Sequence, residues 1–283
     1  MRRMHGAGEK ILPPMTIDLG RRGWIEAKRI EKSPLQGGRK MAMVLGQGKA
    51  VQGASIGILM LKTRFPRILG DGGNLGTWPF PVIPRVIEGA TPSGVVRGSA
   101  RGLVDRFAAA ACDLVADGAD GIVTNCGFLI LHQRRIAKAC SVPVASSALL
   151  QLPWLERILP PGRRAGVVTV DAASLGPKHL ECAGAHPDTP IEGIAADGEL
   201  ARVLLEDEMR LDVERARKEV VDAARCLHGR CPDLGAIVLE CTNMPPYAAD
   251  IAAATGLPVY DFHSLVIWFA AGLQPRRFQP EYR

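Results

Sequence analysis

The chain has 283 residues, 47% of them hydrophobic and 5% aromatic, which fits an ordinary globular α/β protein of one or two domains. Its net charge of +6 resides in the first 50 residues, which carry 11 Lys/Arg against 4 Asp/Glu, while the remainder carries 24 against 25. The body is therefore near neutral, which argues against a nucleic-acid partner. No apolar run is long enough to span a bilayer, so no membrane association is expected. The start, Met1-Arg2-Arg3-Met4-His5-Gly6, has no apolar stretch after its charges, and the expectation is a cytoplasmic protein without a signal peptide. Seven cysteines, an odd number with no C-x-x-C spacing, disfavour a disulfide framework or a zinc ribbon. Cys226, His228 and Cys231 are too few and too close together to make a zinc site, and no metal is expected.

Residues 1–53 mix Gly, Pro and basic residues without a period and read as a loosely ordered basic extension. The apolar run from Ala54 to Leu61 predicts a buried strand. The glycines of 70–76, followed by Trp78-Pro79, predict a loop and match neither G-x-G-x-x-G nor a P-loop. Leu103, Phe107, Ala110 and Leu114 share one face of a helix over 101–117 that Gly118 stops. Gly121–Asn125 then reads as a short strand ending at Cys126, followed by a helix over 129–140 and a strand from Val142. The plan returns with a strand at Arg164–Val170 and a long charged helix over 199–228. A short strand, Ala236–Glu240, then ends at Cys241, and Pro245 and Pro246 suit the first turn of the next helix.

The two halves align without a gap at an offset of 115 residues: Ile122, Val123, Cys126, Ile136, Pro143 and Val144 match Ile237, Val238, Cys241, Ile251, Pro258 and Val259. Each cysteine lies 17 residues before its proline. This is an internal duplication. It predicts an α/β fold of two pseudo-symmetric lobes, each a parallel sheet flanked by helices, with the active site between them. The expected lobes are 54–150 and 151–261, with a C-terminal helix over 262–283 packed back on the first.

In a parallel sheet, ligands bind beyond the carboxyl ends of the strands. Cys126 and Cys241 are placed there, each before a helix whose N–H groups and dipole are expected to lower the thiol pKa and to hold a substrate carboxylate. Two sulfurs facing one carbon from opposite sides suit inversion. One thiolate removes the α-proton and the other thiol returns a proton to the opposite face, with enediolate character stabilised by fixed donors.

Thr124-Asn125-Cys126-Gly127-Phe128 and Leu239-Glu240-Cys241-Thr242-Asn243-Met244 resemble the aspartate/glutamate racemase superfamily, which includes hydantoin racemases, arylmalonate decarboxylases and maleate isomerases. The resemblance covers residues 54–270. It implies Cys126 and Cys241 as the two bases, Thr242 as a carboxylate-binding residue, no organic cofactor and a homodimer. The sequence departs from the glutamate signature: Cys126-Gly127-Phe128 stands for Cys-Asn-Thr, Asn243 replaces a His, and Leu61-Lys62-Thr63-Arg64 shows no acidic residue after the first strand.

The expected function is a cofactor-independent racemase or epimerase of an amino acid or related small carboxylate. A decarboxylase or cis–trans isomerase of the same superfamily is the alternative, and a non-catalytic small-molecule-binding protein the third reading. Besides the catalytic pair, the candidate substrate-binding residues are Arg64, Asn74, Asn125, Gly127, Phe128, Thr242 and Asn243. Glu240 either tunes Cys241 or sits at an exposed strand end, and Asp171 is a weaker candidate. His179 and His263 receive no role. Cys112, Cys140, Cys182, Cys226 and Cys231 read as small buried hydrophobes.

Overall fold

The computed structural model describes residues 53–276. The expected basic extension lies outside the described residues, except for Gly53, and the C-terminal helix expected over 262–283 stops at Leu273, with Gln274 as its C-cap. The first sheet contains β1 (Ile56–Leu61), β2 (Val82–Ile87), β3 (Gly121–Thr124) and β4 (Val144–Ala145), in the order β2-β1-β3-β4. The second contains β5 (Arg164–Thr169), β6 (Ile191–Gly193), β7 (Leu234–Leu239) and β8 (Val259–Tyr260), in the order β6-β5-β7-β8. Every pairing is parallel.

The duplication extends to the register. Ile122 pairs with Val144 and Ile237 with Val259, both pairs related by the offset of 115. Gly57 opposes Ile122 on β3, and Gly166 opposes Ile237 on β7. A Cβ at Gly57 would meet Leu114 Cδ1 at 3.0 Å, and one at Gly166 would meet Leu227 Cδ2 at 3.1 Å. Each half thus needs a glycine where a helix leucine crosses its first strand closely.

Strand alternation sorts the core. Leu59 and Leu61 face the large core with Phe107, Ala111 and Leu114 of helix Val104–Ala116. Ile56, Ile58 and Met60 face the opposite way, onto Phe262, Leu265, Val266 and Ala270 of helix Phe262–Leu273. Burying each large apolar side chain of that helix contributes about 2 kcal/mol. Asp261 starts the helix by accepting the Ser264 N–H, while the Ser264 hydroxyl accepts the Asp261 N–H.

Several elements differ from the sequence reading, which had no counterpart for β6 or for the helices Pro92–Val96, Leu152–Ile158 and Pro177–Ala183. β2 has no counterpart in it because Pro81 and Pro84 interrupt the run; β2 pairs on one side only, with β1, and an edge strand tolerates proline. The single helix expected over 199–228 is two, Glu199–Leu205 and Val213–Arg230. Asp207 adopts φ +56° after the first, and Asp212 caps the second by accepting the Arg215 N–H at 3.1 Å. The helix expected over 129–140 begins instead as a 3-10 turn, Gly127–His132, and becomes α-helical at Gln133–Ala139.

Candidate active site

In both sheets the chain passes to one side for the second strand and to the other for the third, which opens a crevice at the carboxyl ends of β1/β3 and β5/β7. Just past β3, the Asn125 N–H donates to Leu59 O at 3.0 Å; just past β7, the Glu240 N–H donates to Val168 O at 2.9 Å. Cys126 and Cys241 follow. Their carbonyls accept the N–H of Leu129 and of Met244, each at 3.1 Å, so the two turns match residue for residue.

One cavity takes residues from both halves. It is lined by Cys126, Cys241, Glu240, Asn125, Arg67 and Phe128, among others, and encloses about 400 Å3 of empty space, part of it open to solvent. Both cysteines are free thiols and buried.

Gly127 sits against the opposite half: a Cβ there would fall 2.2 Å from Glu240 Oε1 and 2.4 Å from Glu240 O. Phe128 packs edge-on against the buried His179, with ring centroids 5.3 Å apart. The Thr242 hydroxyl donates to Asn125 O at 2.7 Å, and Asn125 Oδ1 accepts the Leu61 N–H at 2.8 Å. Asn243 lies beside the second thiol, its Oδ1 3.4 Å from Cys241 Sγ, and its amide donates to Asp71.

The structure does not bring Arg64 or Asn74 to the cavity. Arg64 is exposed and pairs with Asp207, whose carboxylate accepts from its backbone N–H and guanidinium. Asn74 caps a 3-10 turn, Leu75–Thr77, accepting the Gly76 N–H while its amide donates to Arg67 O. The guanidinium at the site is that of Arg67. It reaches Asp71 Oδ1 at 2.8 Å and the Thr63 hydroxyl at 3.0 Å, and lies over the Phe65 ring at 4.6 Å. Asp71 is the acidic residue that follows the first strand, ten positions beyond Leu61 in the glycine loop. The Gly72 N–H of the same loop donates to Thr242 O at 2.9 Å. The signal for both residues was an acid and a base four positions apart beside glycines.

Glu240 is buried at 1% exposure, which excludes the strand-end alternative. Its Oε2 accepts the Thr169 hydroxyl at 2.8 Å. Asp171 lies outside the cavity lining and holds Ser174, and His263 stacks on Trp78. Of the other cysteines only Cys231 is buried, whereas Cys112 and Cys226 are exposed, contrary to the reading of all five as buried. No group of three potential metal ligands converges among the described residues. No helix among them is long and apolar enough to cross a membrane.

The thiols are not acidified as their place before a helix suggested. Burial pushes Cys126 up to about 12, Glu240 adds to the rise, and the Phe128 and Leu129 N–H groups and Arg67 oppose it without prevailing. Cys241 is likewise pushed well up by burial and then by Glu240, with the Asn243 N–H opposing. Burial also lifts the Glu240 carboxyl to about 8 despite its bond to Thr169.

The fold and site thus define a duplicated α/β protein with paired thiols and a carboxylate at the meeting of its halves. The family model for Asp/Glu/hydantoin racemase matches residues 110–270, and the chain belongs to that family. Among curated proteins, a dimethylsulfoniopropionate lyase of Durusdinium sp. clade D is 29% identical over 224 residues, covering 76% of this chain and 74% of the relative. Dimethylsulfoniopropionate lyase 6 of Emiliania huxleyi is 29% identical over 219 residues, covering 73% of this chain and 56% of the relative. Among solved structures, unliganded arylmalonate decarboxylase superposes with a TM-score of 0.53 at 17% identity, covering 81% of this chain and 97% of that one. Allantoin racemase from Pseudomonas fluorescens gives 0.52 at 17% identity, covering 77% and 90%. These last two matches concern the fold alone.

Proposed function

We propose that the protein is a cofactor-independent carbon–sulfur lyase acting on a small carboxylate with a sulfonium group at its β-carbon. The observation that carries this reading is the pair of buried thiols at equivalent strand ends facing one cavity. Once ionised to the thiolate, a cysteine placed there can take a proton from the carbon next to a carboxylate. In the expected racemase the second thiol returns a proton. In a lyase the electron pair left on the α-carbon becomes the α–β double bond, the bond from the β-carbon to sulfur breaks, and the sulfur departs with that bonding pair as neutral sulfide. Dimethylsulfoniopropionate would give acrylate and dimethyl sulfide, with one proton left on the thiol.

Charge supports a cationic substrate. Cys126, Cys241 and Glu240 are three groups able to become anionic, and the Arg67 guanidinium already pairs with Asp71. A positive charge about 5 Å from a thiolate, at an effective dielectric of about 20, favours it by roughly 3 kcal/mol, or about two pKa units. The substrate then supplies charge that the buried site lacks. Arg67 and the Asn125 amide are the donors placed to hold its carboxylate.

Racemisation is the second reading, favoured by the matching of the two cysteine turns. Incubation in D2O with dimethylsulfoniopropionate, amino acids, hydantoins and substituted malonates, followed by NMR, separates the two. The lyase yields dimethyl sulfide and acrylate; the racemase yields α-deuterated, inverted substrate. Absence of dimethyl sulfide would sink the lyase reading, and turnover surviving in the Cys126→Ala/Cys241→Ala double variant would sink thiol catalysis altogether.

A further inference from the structure

The offset of 115 residues that superposes the cysteines also superposes the residues before them, Asn125 and Glu240. Their backbones are anchored alike, each N–H donating to the first strand of its own sheet. Their side chains are held alike too: one terminal atom of each is bonded within its half, Asn125 Oδ1 by the Leu61 N–H and Glu240 Oε2 by the Thr169 hydroxyl. The other terminal atom of each is buried with no hydrogen-bond partner, Asn125 Nδ2 on one side and Glu240 Oε1 on the other. Both residues line the cavity.

Buried polar atoms without partners are rare in native proteins and need a reason. Here the two have opposite polarity, an N–H donor in one half and a carboxylate acceptor in the other. The remaining carboxylate at the site, Asp71, has no such freedom. It accepts from Arg67 and the Gly73 N–H on one oxygen and from the Asn243 amide on the other. Glu240 is therefore the carboxylate that can receive a positive group entering the cavity.

We propose that Glu240 receives the cationic end of the substrate while the Asn125 amide donates to its carboxylate, so that the two positions preceding the cysteines orient a zwitterion between the thiols. The inference rests on the sulfonium-lyase reading and names what that site recognises: a carboxylate and a fixed cation about three bonds apart. It also gives Glu240 a charge role. Above about pH 8, where it is ionised, the unpaired carboxylate opposes ionisation of both thiols. Paired with a substrate cation, it no longer does.

A matched pair of unreactive ligands tests this by calorimetry, independently of turnover. One is 3-(trimethylammonio)propanoate; the other is 4,4-dimethylpentanoate, its uncharged isostere. The wild-type chain is expected to prefer the cation by about tenfold or more, as for a charge-assisted contact in a dry site. Glu240→Gln keeps the side-chain volume and is expected to bring the ratio close to one, leaving the isostere within about threefold of its wild-type affinity. Asn125→Asp keeps the oxygen that holds Leu61 and is expected to weaken both ligands by a similar factor. Proton release gives a measurement that needs no variant. At pH 7 Glu240 is largely protonated, and the cation should expel that proton where the isostere does not. The titratable groups facing it are Cys126 and Cys241, and the other charged pair at the site is Arg67–Asp71. No preference for the cation in the wild type, a ratio unchanged in Glu240→Gln, or cation binding without proton release overturns the proposal. Failure to cleave dimethylsulfoniopropionate while the ligand preference holds overturns the lyase reading alone.

Discussion

Replacing Glu240 by Gln should change the pH dependence of folding stability. Burial raises this carboxyl from its ordinary 4.5 to about 8. The folded chain therefore keeps a proton that the unfolded chain gives up. Stability contributed by that retained proton is fully present below about pH 4.5 and is lost as the pH rises through about 8. Each pKa unit is worth about 1.4 kcal/mol, so the full span amounts to roughly 5 kcal/mol. Glutamine has the same shape, can still accept from Thr169 and does not titrate. The variant should gain on the wild type by about 1.4 kcal/mol per pH unit between pH 5 and 8, and the gain should level off above. Urea denaturation of both proteins at unit pH intervals from 5 to 9 measures it. Cysteine ionisation in the unfolded chain is common to both proteins and cancels in the difference, and burial, the largest cause of their raised pKa, keeps both thiols protonated in the folded chain over this range. Parallel curves for the two proteins would refute the claim that Glu240 is buried without a compensating cation.

Other substitutions follow from the packing of the site. Gly127→Ala would place its Cβ 2.4 Å from the Glu240 carbonyl, a backbone atom that cannot swing away. A loss of about 1–3 kcal/mol is expected in chemical denaturation, with a larger fall in turnover than Gly229→Ala, where nothing lies within 4 Å. Arg67→Met should raise KM more than it lowers kcat if the guanidinium holds the substrate carboxylate, as steady-state kinetics will read. Iodoacetamide at pH 7.5 should modify the exposed Cys112 and Cys226 before Cys126, whose thiol burial holds at about 12; peptide mass mapping gives the order.

The duplication was legible because it rests on residues that are apolar or reactive at fixed spacing. Ile122, Val123 and Cys126 repeat as Ile237, Val238 and Cys241, and a parallel sheet has little choice about where such short strands end. β2 was hidden by its prolines, whose tolerance depends on being at an edge, a fact about neighbours rather than about the segment. The break at Asp207 was hidden because a charged run continues across it; its aspartate carboxylate is used to hold Arg64 and Phe65, far off in sequence. Arg67 was missed in favour of Arg64 for a similar reason. Both lie in one aperiodic loop, and only the fold shows that one meets Asp71 and the other Asp207. The thiol pKa was misjudged because helix-start N–H groups are visible in sequence, whereas the burial that outweighs them arises when the two halves meet.

The broken symmetry at Asn125 and Glu240 bears on how the two thiols divide the work. Racemisation requires each thiol to serve as base for one enantiomer and as acid for the other, so loss of either stops both directions. Elimination requires one base and one open side for the departing sulfide. A neutral amide precedes Cys126 and a carboxylate precedes Cys241, so the proposed placement of a zwitterion between them would present its α-proton to one thiol and its sulfonium toward Glu240. Cys126→Ala and Cys241→Ala should then lower kcat/KM for the sulfonium substrate unequally. The base variant should fall by about a thousandfold or more, in the range for loss of a positioned proton-transfer group, and the other by considerably less. Equal losses in both variants, with α-deuterium incorporated into recovered substrate, would mean that the thiols exchange roles and that the asymmetry beside them does not direct the reaction.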